Sequence, residues 1–168
     1  VGGEFLYRPF DKNYAIGAEL WRVQKRDFNM RLSFADYKTT TGHVNFYYLE
    51  PSTKVLFAVK GGKFLAKDSG VNFDFSRRFQ SGMRVGAYFA LTDISKEEFG
   101  EGSFDKGFYF QIPLALFLDR HTKRRIPWGL RPLTRDGAAS IVHGQTIWGV
   151  TAEADRNSIT RGWNEIYD

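Results

Sequence analysis

No cysteine occurs in the 168 residues. That removes a disulfide framework, thiolate zinc sites and thiol redox chemistry, and suits an oxidising envelope as well as a cytosol. No uninterrupted apolar run approaches the ~18 residues of a transmembrane helix. The three histidines, His43, His121 and His143, fall on separate segments without HxxxH or HxH spacing, so surface or wall positions are expected for them rather than a metal site. A GxSxG elbow and an RNP-like aromatic motif are missing too. These gaps point away from an enzyme, a bound cofactor or metal, and a nucleic-acid partner. A Ser/His/Asp triad assembled across strands stays open, because such a site is recognised by geometry rather than by order.

Aromatic residues are abundant: sixteen Phe, eight Tyr and four Trp make up 17% of the chain, a composition suited to strands and to the aromatic girdles of membrane barrels. A mean hydropathy of −0.40 fits strands that are polar on one side, and a barrel span is invisible to hydropathy averaging. The net charge of +5 is spread over strands and loops, which favours anionic lipid or an acidic polymer over nucleic acid.

Alternation is the dominant pattern. Met83, Val85, Ala87, Phe89 and Leu91 share one parity while Arg84, Gly86, Tyr88, Ala90 and Thr92 share the other. Phe108, Phe110, Ile112, Leu114 and Leu116 repeat the pattern, and runs of this length match the ~9–11 residues of a tilted membrane strand. Eight or nine strands are read at Glu4 to Phe10, Tyr14 to Lys25, Met30 to Tyr37, His43 to Leu49, Val55 to Leu65, Val71 to Phe79, Met83 to Ile94, Lys106 to Leu118 and Ser140 to Ala152. Turn chemistry separates them at Asp11 to Asn13, Thr39 to Gly42, Pro51-Ser52, Asp68 to Gly70 and Ser81-Gly82. Hairpin-length links predict an antiparallel up-and-down meander over residues 1–168, a single all-β transmembrane barrel of about 8–10 strands or a segment of a larger one. No amphipathic helix is expected.

Parity assigns the faces. Phe73, Phe75, Val85, Phe89, Phe108 and Phe110 are expected to face lipid. Glu19, Trp21, Lys60, Arg78, Arg84, Tyr88 and Tyr109 are expected to line a wet lumen, where aromatic planes and cations suit an anionic polysaccharide. Asp74 is the expected local partner of Arg78 or Arg84, and Gly17, Gly86 and Gly107 are read as giving the wall its curvature. The acidic loop with Asp93, Glu97, Glu98, Glu101 and Asp105 is a calcium candidate that a solvated loop explains as well, and Lys123 to Arg125 is a candidate contact for anionic lipid or polymer. The Asp119 to Ala139 connection is anomalously long for the short-turn side of a barrel; a plug, a hidden strand around Ile126 to Leu133, or a partner-facing loop would each account for it.

Four ordered stretches, GGKFLAKDSGVNFDFSRRF (61–79), SGMRVGAYFALTDIS (81–95), EEFGEGSFDKGFYFQIPL (97–114) and RPLTRDG (131–137), resemble the YjbH/GfcD family of outer-membrane exopolysaccharide (group 4 capsule) proteins, over roughly the middle two-thirds of the chain. The resemblance implies an outer-membrane lipoprotein or barrel component that helps export or assemble a surface polysaccharide alongside other polysaccharide-secretion proteins, in a Gram-negative outer membrane, without enzymatic activity. Family members are much longer. The start at Val1 without initiator Met or leader suits either a removed signal sequence or an internal fragment, and the ending Ile166-Tyr167-Asp168 in place of a terminal aromatic suits one piece of a larger assembly. Three readings follow: a conducting barrel, a non-conducting barrel that anchors or seals a secretion complex, and a soluble lipocalin-like binder with the faces inverted.

Overall fold

The computed structural model describes residues 1–26, 34–93, 105–118, 125–130, 138–142 and 144–151. Eight strands form one sheet in sequential order, each antiparallel to the next: β1 (Gly2–Tyr7), β2 (Tyr14–Arg26), β3 (Phe34–Leu49), β4 (Val55–Lys63), β5 (Ser69–Arg78), β6 (Arg84–Thr92), β7 (Asp105–Pro113) and β8 (Arg125–Leu130). The expected meander is present. Its closure is not: the order runs from β1 at one edge to β8 at the other, and no ladder joins them among the described residues.

Three elements differ from expectation. Thr39 to Gly42, read as a turn, lies inside the 16-residue strand β3. Its rungs with β2 run without a break from Lys38 opposite Gln24 to Tyr48 opposite Tyr14. Three β-branched threonines favour the pleat, and a 13-residue β2 needs a partner of matching length. The expected strand at Lys106 to Leu118 stops at Pro113, which has no N–H for the ladder, and a 3-10 turn follows at Leu114–Leu116. Where a strand is expected at Ser140 to Ala152, residues 140–142 and 144–146 are irregular and a single helical turn follows, α1 (Ile147–Thr151). The hydroxyl of Thr146 accepts from the Gly149 N–H at 2.9 Å, an N-cap that starts the turn. The hidden strand suspected near Ile126 exists as β8. It splits the anomalous connection in two.

Ser81-Gly82 makes the hairpin assigned to it: Gly82 sits at φ 78, and Phe79 N–H donates to the Met83 carbonyl at 2.8 Å. At the β3–β4 turn, one oxygen of Glu50 accepts from the Thr53 N–H at 2.6 Å and from the Ser52 and Thr53 hydroxyls at 2.8 Å each. The Thr53 N–H, then the Ser52 and Thr53 hydroxyls, hold its carboxyl down at about 2.

Among the described residues buried apolar side chains are few: Ala15, Phe64, Ala90 and Ala138. Buried polar ones include Glu19, Thr41, His43, Asn45, Ser76 and Asp105. The hydrophobic mass therefore lies elsewhere, on the uncovered side of the sheet. Among the described residues no helix is long and apolar enough to cross a membrane.

Candidate functional site: two faces of the sheet

The registers sort every strand residue onto one of two faces. On the bare face a single rung joins Tyr7, Ile16, Phe46, Val59, Phe73, Phe89 and Lys106 across seven strands. Around it lie Leu20, Val44, Phe57, Phe75, Phe108 and Trp128, all exposed. The rings pack in two groups: on β4 to β6 Phe57 meets Phe75 edge-on at 5.5 Å and Phe73 stacks on Phe89 at 4.9 Å, and on β7 and β8 Phe110 tilts against Trp128 at 5.6 Å. All six residues expected to face lipid, Phe73, Phe75, Val85, Phe89, Phe108 and Phe110, share this face. A lipocalin-like arrangement requires the opposite, with these rings inside.

The apolar band runs obliquely to the rungs. Along one edge, Arg22 stands six residues beyond the common rung on β2, Lys63 four beyond it on β4, and Lys106 on the rung itself on β7. The other edge steps the same way: Tyr7 lies on the rung, Tyr14 and Tyr48 two residues below, Val55 and Arg77 four below, Ile112 and Ile126 six below. Six residues of descent (about 20 Å) over five strand spacings (about 24 Å) incline the band by about 40°.

The covered face is polar. Glu19, 9% exposed, accepts at one oxygen from Lys60 Nζ at 2.8 Å and lies 2.8 Å from His43 Nδ1; its other oxygen is 3.4 Å from the indole N–H of Trp21. Rung pairing explains the cluster, since Glu19 is directly opposite His43, and Lys60 opposite the neighbouring Asn45. A second cluster spans β5 to β7: Tyr109 donates to Asp74 at 3.0 Å, while Arg84 donates to the Ser76 hydroxyl at 2.7 Å and reaches Asp74 at 3.9 Å. Arg78 stands opposite Arg84 at the end of the ladder. Of the expected lumen residues, Glu19, Trp21 and Lys60 thus gather in one group and Arg84 and Tyr109 in another.

The glycines of this face act by contact. A Cβ on Gly86 would lie 2.3 Å from the Tyr109 ring, and one on Gly107 would lie 2.7 Å from the Tyr88 ring and 2.7 Å from the Leu130 carbonyl. Each tyrosine lies flat over the glycine opposite it in the β6–β7 ladder, a seat that only glycine leaves open.

Residues 138–142 and 144–151 rest on the polar face. Asp68 accepts from the Ala138 N–H at 2.8 Å, and the Ala139 carbonyl accepts from Leu65 N–H at 2.8 Å. Farther along, Glu4 accepts from the Ile147 N–H at 2.8 Å. Trp148 stacks on Tyr47 at 4.0 Å and 4°, with the Arg8 guanidinium 4.9 Å from the indole. A small cleft remains between them, lined by Glu4, Glu19, Asn45, Tyr47, Lys60 and Trp148. Sequence reasoning missed His43, Tyr47 and Trp148. His121, His143, Lys123, Arg124, Glu97, Glu98 and Glu101 lie outside the described residues.

The fold and its faces define a class: an all-β meander with a bare apolar side and an ion-paired polar side. A family model described as exopolysaccharide biosynthesis protein YbjH matches residues 1–153. A protein of Escherichia coli (strain K12) named "Uncharacterized lipoprotein YjbH" is 38% identical over 161 residues, which cover 94% of this chain and 23% of that protein. The chain belongs to the YjbH exopolysaccharide biosynthesis family, and it spans about a quarter of that relative's length. No solved structure matches it.

Proposed function

We propose that this chain is a wall segment of an outer-membrane β-barrel that serves exopolysaccharide or capsule export, the bare face meeting lipid and the polar face enclosing a wet interior. The observation that carries this reading is the oblique apolar band. Its ~40° inclination is the tilt of strands crossing a bilayer, ~35–45°, and an aqueous surface gives no reason for two parallel, tilted edges. The inverted polarity agrees with it, because charges such as Glu19 and Asp74 are costly in a dry core. The lipoprotein name of the Escherichia coli relative fits membrane attachment, and family membership supplies the polysaccharide. Among the described residues no strand pairs with the outer edge of β1 or of β8, which leaves room for continuation by further strands of a longer protein.

Within this reading, one observation favours a braced, non-conducting wall over an open conduit. Lys60 and Arg84, the cations best placed to hold an anionic chain, are held by Glu19 and Asp74, and Ala138 and Trp148 are seated on the face.

Val44 tests the lipid face. It is 62% exposed on the middle of β3, where an aqueous surface tolerates a charge within about 0.5 kcal/mol. In lipid, Val44→Arg costs roughly 2–4 kcal/mol. The variant of the intact protein is expected to leave the outer-membrane fraction and to lower surface polysaccharide. Wild-type membrane yield would sink the proposal.

A further inference from the structure

We propose that the cationic edge of the bare face, Arg22, Lys63 and Lys106, is a binding site for phosphorylated lipid headgroups. This rests on the membrane reading above and goes beyond it, since a barrel wall needs an apolar band but needs no particular headgroup.

The placement carries the inference. On the covered face Lys60 is held by Glu19 and Arg84 by Asp74. Arg22, Lys63 and Lys106 are exposed on the other face, and they come from three different strands, β2, β4 and β7. Arg22, Lys63 and Lys106 each stand one outward position past the last apolar or glycine residue of their strand: Leu20 on β2, Gly61 on β4 and Phe108 on β7. They therefore follow the tilted edge of the band and come to one level once the strands cross a bilayer at their slant. The opposite edge is built differently, from Tyr7, Tyr14 and Tyr48 with Val55, Arg77, Ile112 and Ile126. One edge is thus cationic and the other tyrosine and aliphatic with a single cation.

Chemistry selects the occupant. Long aliphatic stems lie along acyl chains while their charged ends reach the headgroup layer, and each cation near an anionic surface adds roughly a fivefold preference. Phosphate oxygens suit both the ammonium and the guanidinium.

The test uses the intact protein in vesicles of phosphatidylcholine with about one-tenth bisphosphorylated lipid A, and in phosphatidylcholine alone. Lipids retained by the protein are measured by native mass spectrometry, with a spin label at Val44 to report insertion. Wild type is expected to enrich the phosphorylated lipid about tenfold over bulk, and Arg22→Gln/Lys63→Gln/Lys106→Gln to hold it within about twofold of bulk. Inorganic phosphate at matched ionic strength is expected to act no better than chloride. Equal enrichment in wild type and variant, with the label in lipid, overturns this inference and leaves the membrane reading intact. Loss of enrichment with phosphate but not chloride also overturns it, in favour of a soluble anion site. A label shielded from lipid overturns both.

Discussion

At the scale of single residues, parity made the faces legible but not the partners. Glu19 and Lys60 read as members of one polar face, yet their contact exists only through β3. Splitting β3 at Gly42 left His43 at a strand end; the continuous strand places it opposite Glu19. The Asp74–Arg84 pairing was legible because strand and parity were both assigned correctly. The Glu19 side chain is 7% exposed, so neutralising it abandons a cation on the same face. Glu19→Gln is expected to destabilise by about 3 kcal/mol in denaturant titration, with Glu19→Leu/Lys60→Met costing clearly less; equal costs would deny the pairing. The Gly86 seat predicts a coupling of its own. Gly86→Ala drives a methyl into the Tyr109 ring and is expected to cost about 1–3 kcal/mol, most of it recovered in Gly86→Ala/Tyr109→Ala. Additive losses would show that the ring does not rest there.

At the scale of elements, β1, β2 and β4 to β7 were legible because period-2 runs between turn residues admit few other structures. β8 was masked by Pro127 and Gly129, although Ile126, Trp128 and Leu130 keep the outward parity. The 147–151 turn was missed because its own alternation imitates a strand; the Thr146 cap was the contrary signal. Amides at 38–42 are expected to exchange as slowly as those at 44–48 if β3 is one strand, whereas fast exchange confined to 39–42 would restore the hairpin. The β3–β4 turn carries a pH dependence. Because the folded Glu50 carboxyl titrates at about 2 against an ordinary 4.5, its contribution is present above 4.5 and is lost as pH falls through 2. The Tm advantage of wild type over Glu50→Gln is expected to shrink over that window. An advantage unchanged from pH 5 to pH 2 would mean that the Thr53 and Ser52 contacts are not held in solution.

At the scale of the whole molecule, the sheet inverts the usual arrangement, with large apolar side chains outside and ion pairs under cover. The meander and this inversion were visible in the sequence. The open edges were not, since pairing between β1 and a distant strand leaves no mark on local alternation. The central claim is that the bare face meets hydrocarbon, and accessibility of single spin labels tests it most directly; these 168 residues contribute no cysteine of their own. In the intact membrane-reconstituted protein, labels at Val44, Phe75 and Phe108 are expected to be relaxed strongly by oxygen and weakly by a water-soluble nickel chelate, while labels at Asn45 and Asn72 show weak relaxation by oxygen. Outward labels relaxed by the nickel chelate as strongly as by oxygen, or shielded from both, would contradict the account.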